Sequence, residues 1–93
     1  MAKLLTDTEI QAEASRLSDW TIVGSKLQTT RKFKDFIAAI EFVNKLVEPA
    51  ETSGHHPDIE ISYNKVNIAL TTHDAGGLTQ KDFEVAAKIS QII

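Results

Sequence analysis

The sequence predicts an α+β fold: a four-stranded antiparallel sheet with three helices on one face, in the order α-β-β-α-β-β-α. Two period-two runs, Ile59-Ile61-Tyr63 and Val66-Ile68-Leu70, sit close enough to pair as a hairpin. A second pair of short strand-like runs flanks Gly24-Ser25, and segments with helical spacing bracket both hairpins. The 93 residues suffice for one domain spanning 1–93. A chain of this size buries somewhat over ~60% of the surface it exposes when unfolded.

The first helix opens at Thr6, which with Glu9 has capping-box spacing. Ile10, Ala14 and Leu17 then recur on one face, and Asp19-Trp20 ends the pattern. Trp20 to Val23 reads as a short strand, Gly24-Ser25 as a turn, and Leu27 to Phe33 as a second strand with weak alternation. Asp35 is a natural N-cap for the next helix, whose apolar stripe is Phe36, Ile40, Val43 and Val47, with Ile37 beside it. Pro49 removes a backbone donor and disfavours helical geometry at Glu48. The helix therefore either stops near Val47 or kinks and runs on toward Ser53, with Gly54 as its terminator.

The second hairpin is the clearest element, with Asn64-Lys65 as its turn. Gly76-Gly77 breaks the chain again. Thr79 and Asp82 then signal a helix start, with Phe83, Ala86, Ala87, Ser90 and Ile93 along one side. Such a sheet keeps exposed edges unless it is closed or paired, so self-association through an edge strand is expected.

Composition narrows the function. Net charge is -3, and the densest basic cluster is Arg31, Lys32 and Lys34 with Asp35 beside it. That is no stripe for displacing counterions from phosphate, so direct nucleic-acid binding is not expected. The absence of cysteine excludes a disulfide scaffold, a thiol nucleophile and a cysteine zinc site. No apolar leader and no run near the ~20 apolar residues of a membrane span is visible, so the cytoplasm is the default location. There is no glycine-rich phosphate loop, serine elbow or paired-carboxylate signature.

All three histidines fall between positions 55 and 73. Imidazole changes charge near neutral pH, which suits proton transfer. His56 precedes Pro57, which pushes its backbone toward extended geometry; a plain turn explains Gly-x-x-Pro equally well. Adjacent side chains in an extended segment point to opposite sides, so His55 and His56 are not expected to share a metal ion. His73 has the parity of Asn67, Ala69 and Thr71, off the core face, and reads as a polar strand end or as an imidazole sharing a cleft with His55. Asp82 judged alone satisfies the first turn of its helix, and it could also orient an imidazole. Glu51 reads as a solvated helix-end charge. Trp20 suits either core packing or a flat wall for a planar ligand.

From Glu51 to Asp82 the chain reads Glu51, three residues, His55-His56-Pro57, five residues, Tyr63, nine residues, His73, eight residues, Asp82. This resembles the signature of the pterin-4a-carbinolamine dehydratases. Trp20, Phe33-Lys34-Asp35-Phe36, Tyr63-Asn64-Lys65-Val66, Thr72-His73 and Gly77-Leu78-Thr79 extend the resemblance over nearly the whole chain. It implies the same α-β-β-α-β-β-α fold. It also implies dehydration of a 4a-hydroxytetrahydropterin to a quinonoid dihydropterin, in recycling after aromatic amino-acid hydroxylation, with no metal or bound cofactor. It makes His55 and His73 the proton-transfer candidates and His56 a residue that binds or orients the pterin. Asp82 becomes their polar partner, and Glu51, Pro57 and Trp20 stand on the substrate side. The implied partners are a small-molecule pterin, a homodimer or homotetramer, and a hydroxylase of the same pathway. The competing reading is a non-catalytic dimerisation or coactivator-type module on the same fold, against which the retention of three histidines speaks.

Overall fold

Local chemistry sets the first helix, α1 (Asp7–Ala14), in the computed structural model, which describes residues 3–92. Ile93, expected on the last helix, lies outside them. The Thr6 amide donates to Glu9 Oε1 at 2.9 Å and the Glu9 amide to Thr6 Oγ1 at 3.2 Å, a complete capping box. The Thr6 amide, and after it the Thr6 hydroxyl, holds the Glu9 carboxyl below the usual glutamate range. Ile10, Ala14 and Leu17 are only partly buried, so α1 lies at the margin of the core.

Four strands follow the predicted plan: β1 (Thr21–Val23), β2 (Lys26–Lys32), β3 (Asp58–Ser62) and β4 (Lys65–Leu70). Their order is β1-β2-β4-β3, all neighbours antiparallel, so β1 and β3 are edges. Leu27 opposes Leu70, Thr29 opposes Ile68 and Arg31 opposes Val66 on the covered face. The weak alternation of β2 now has a cause. Its inward row is Leu27, Thr29 and Arg31, two of them polar, and both polar groups are met by Asp19: Thr29 donates to its carbonyl at 2.6 Å and Arg31 pairs with its carboxylate. The opposite face, where Thr30 donates to Asn67 Oδ1, is uncovered.

The second hairpin turns on Tyr63-Asn64 instead of Asn64-Lys65, since Lys65 already pairs with Ser62. A tight two-residue loop needs positive φ, and Tyr63 takes it at 53°. Asn64 is held instead by Phe33, the residue just past β2: its side chain donates to Phe33 O and its carbonyl accepts the Phe33 amide, both at 2.8 Å.

The middle helical segment kinks and runs on, as one of the two expected outcomes had it. It breaks at Leu46 into α2 (Phe36–Lys45), capped by Asp35, and α3 (Val47–Ser53). The break puts Pro49 in the first turn of α3, where a missing donor leaves no bond unmade. Gly54 ends α3 at φ 62 in the left-handed region. The Gly54 amide donates to Glu51 O and the His55 amide to Ala50 O, the bond pair of a Schellman motif.

The buried stripe of this segment differs from the predicted one. Ala39, Phe42 and Leu46 face the sheet, with Val43 partly buried, whereas Phe36, Ile37 and Val47 are 50%, 69% and 59% exposed. The helix is apolar on two sides, and periodicity does not choose between them. Tertiary contact does: the Phe42 ring packs on Phe33 with centroids 5.0 Å apart. The last helix, α4 (Gln80–Ile92), buries Phe83 and Ala86 as expected, and Val85 and Ile89 besides. These side chains close the core with Trp20, Leu27, Val66, Ile68 and Leu70. Among the described residues no helix is long and apolar enough to cross a membrane.

Because Phe42 is buried and Ile37 is not, truncation should separate them. Phe42→Ala should lower unfolding free energy by about 3–5 kcal/mol in urea titrations, and Ile37→Ala by less than about 0.5 kcal/mol in the dilute protein.

Candidate functional site

The site grows from the start of α4. Asp82 sits three residues after Thr79, and its Oδ2 accepts the Thr79 amide at 2.9 Å, the return half of a capping box. The Thr79 hydroxyl does not reciprocate; it lies 2.8 Å from Thr72 Oγ1. Thr72 continues the inward parity of Val66, Ile68 and Leu70, so it is buried, and its hydroxyl donates to Asp82 Oδ2 at 2.8 Å. Asp82 itself has 0% exposure. Its remaining oxygen, Oδ1, is 2.6 Å from His55 Nε2. A carboxylate taken out of water is tolerable only when polar partners meet it, and here two donors and a histidine ring nitrogen do.

The neighbouring backbone is equally constrained. The Schellman bonds after α3 fix the His55 backbone, so its imidazole, 12% exposed, reaches inward to Asp82. His56 points the other way: its Nε2 lies 2.5 Å from Glu51 Oε2, one turn back in α3, and both side chains are mostly exposed. Thr72 pairs with Gly77 across a short 3₁₀ turn, His73–Ala75, closed by Gly76 at φ 77. That turn carries His73 to an exposed rim, off the core face.

These elements enclose a cleft of about 310 Å³, lined by Gly54, His55, His56, Thr71, Thr72, His73, Asp74 and Lys81. The volume falls in the range of small-molecule sites. All three histidines therefore line one cleft, with His56 also lining the pocket beside it. Glu51 reaches it only through His56, and Pro57 lines an adjoining apolar pocket of about 220 Å³ with Leu46, Ala50 and Ile59. Trp20 is not brought to the cleft. It is 6% exposed in the core, and its indole donates to Ser90 Oγ at 2.8 Å. A larger open groove of about 650 Å³ between α2, α3 and α4, rimmed by Lys45, Glu48 and Lys88, carries no imidazole. Among the described residues no three potential metal ligands converge.

Thr71, Thr72, Asp74 and Lys81 were not among the candidate site residues of the sequence, although Thr72 stands in the Thr72-His73 pair of the resemblance. For Thr72 a signal existed: inward parity with Leu70 made it a buried hydroxyl in need of partners. Lys81 and Asp74 carry no comparable signal, since a surface charge beside a turn is ordinary.

Known proteins resemble the whole chain. Residues 3–92 match the family described as Pterin 4 alpha carbinolamine dehydratase. A protein of Nostoc sp. (strain PCC 7120), provisionally named pterin-4-alpha-carbinolamine dehydratase, is 80% identical over 99% of this chain and 99% of its own. One from Acidobacterium capsulatum, with the same provisional name, is 48% identical over 96% of this chain and 97% of its own. Among solved structures, a transcriptional coactivator/pterin dehydratase from Brucella melitensis superposes with TM-score 0.89 at 33% identity, covering 95% of this chain and 96% of that one. A pterin dehydratase-like protein described as a RuBisCO assembly factor shares the fold at TM-score 0.63 and 22% identity, covering 78% of this chain and 84% of that one. The chain belongs to the pterin 4 alpha carbinolamine dehydratase family.

Asp82 and Glu51 should respond differently to amide replacement. Asp82→Asn removes the charge and one of the two acceptor oxygens that meet Thr72, Thr79 and His55, and should cost about 2 kcal/mol in thermal or chemical unfolding. Glu51→Gln, at an exposed pair, should change stability by less than about 0.5 kcal/mol.

Proposed function

We propose that this family member dehydrates 4a-hydroxytetrahydropterins to quinonoid dihydropterins, with His55 and His73 as the proton-transfer groups. The observation that carries the reading is one imidazole anchored by a buried carboxylate in the same cleft as a second, unanchored one. The reaction breaks the C4a–O bond, and the oxygen leaves as water after gaining a proton. The ring nitrogen beside C4a loses its proton as the C=N bond forms. Two imidazoles, each with one ring nitrogen able to give and one able to take a proton, can serve both transfers, and positioned acid–base groups typically contribute about 10²–10⁴-fold. The balance closes without an electron acceptor, so the reading calls for no redox cofactor.

His56 binds or orients the pterin on this reading. Pro57 holds its backbone extended, and Glu51 accepts from its ring. Asp82 acts through His55. Trp20, buried and donating to Ser90 Oγ, supports the core that underlies the site. Recycling after aromatic amino-acid hydroxylation is the pathway this chemistry serves, with a hydroxylase as the physiological neighbour.

Self-association belongs to the same proposal. The β3 edge has unpaired backbone groups on its outer side, with Ile61 and Tyr63 exposed, and Phe36, Ile37 and Val47 add apolar surface along α2 and α3. A homodimer or homotetramer would cover them. The same exposed stripe is what favours the second reading, a binding module for another protein. A stable partner recovered from cells together with no pterin turnover would support that reading over the first.

Turnover of freshly generated 4a-hydroxytetrahydropterin should fall by orders of magnitude in His55→Ala and in His73→Ala. Unchanged rates in both variants would sink the assignment. Light scattering should give a mass two or four times the 10.3 kDa chain, and a concentration-independent monomer would refute the assembly.

A further inference from the structure

The hydrogen bonds around Asp82 have a direction. Thr72 owns one hydroxyl hydrogen, and the structure spends it on Asp82 Oδ2. Thr72 Oγ1 can then only accept in its 2.8 Å contact with Thr79 Oγ1, so the Thr79 hydroxyl is the donor there. The Thr79 amide also donates to Oδ2. The chain therefore runs one way, from the Thr79 hydroxyl to the Thr72 hydroxyl to the Asp82 carboxylate. With Oδ2 receiving two donors, Oδ1 faces His55 Nε2 as an acceptor.

We propose that Thr72 and Thr79 are positioning residues whose hydroxyl chain keeps Asp82 an acceptor and thereby holds neutral His55 as the Nε2–H tautomer, with Nδ1 open to the cleft. Among the described residues Nδ1 has no hydrogen-bond partner, and His55 lines the cleft. His55 thus exchanges protons with bound substrate through Nδ1 alone. A ring free to take the other tautomer would present N–H where the reaction needs a lone pair. The consequence for rate rests on the dehydratase reading; the tautomer does not.

The test uses the full chain with Thr72→Val, which keeps shape and removes the hydroxyl, Thr72→Ser, which restores it, and Thr79→Val, which keeps the backbone amide. Two-bond ¹H–¹⁵N spectra of the imidazoles, recorded where histidine is neutral and assigned by loss of the signal in His55→Ala, read the tautomer. Wild type and Thr72→Ser should show Nε2–H only, Thr72→Val a mixture, and Thr79→Val a smaller admixture. In the same order kcat should fall about tenfold for Thr72→Val, return in Thr72→Ser, and leave KM within about twofold. An unchanged Nε2–H tautomer in Thr72→Val overturns the proposal, as does equal loss in Thr72→Ser. If Thr72→Val does not fold, an unaltered tautomer in Thr79→Val overturns it instead. A wild type with no pterin turnover defeats the dehydratase reading, and the spectra still decide this one.

Discussion

One buried carboxylate organises this molecule. Asp82 has no contact with solvent, and a charge in that position destabilises the fold by several kcal/mol unless donors surround it. Its partners come from three places: the amide before α4, the hydroxyl just past β4, and the imidazole just past α3. Satisfying Asp82 therefore brings three chain segments together, and the cleft is the space beside that junction. The structural and chemical readings of Asp82 are not alternatives. Oδ2 caps the helix while Oδ1 faces the histidine.

The parts of the fold legible in the sequence are those decided within a few residues. Thr6 with Glu9, Asp35 as a cap and Gly54 as a terminator each act over three to five positions, and all form as read. Pro49 posed a local conflict with two local solutions, and the chain takes the one that places it in a first turn. The buried face of α2 was not legible for the opposite reason. Both of its sides are apolar, so the choice falls to Phe33 and the sheet, which no window on the helix contains. The turn at Tyr63-Asn64 shifted by one residue because Asn64 is held by Phe33, again a partner from elsewhere.

The candidate site divides along the same line. Alternation separated His55 from His56 and put His73 off the core, and the geometry agrees. The spacing from Glu51 to Asp82 named a chemistry only through resemblance. What no local pattern revealed is the bonding that crosses between elements. The indole of Trp20 finds Ser90 at the far end of the chain, and Thr72 finds Asp82 and Thr79. A polar side chain announces that it needs a partner; only the folded path supplies the identity.

The strand order has a consequence in time. The central pair joins β2 to β4, with Leu27 opposite Leu70, so the whole α2–α3–β3 stretch must be enclosed before the middle of the sheet exists. Loop closure grows only slowly more costly with length, by about 0.6 kcal/mol per doubling, but the search for distant contacts slows folding. Every hydrogen-bond partner of Asp82 lies at or beyond residue 55, so the junction around it can close only after β4 and the turn before α4 are in place. Closure of that junction and completion of the core coincide, because α4 carries both Asp82 and the core side chains Phe83, Val85, Ala86 and Ile89.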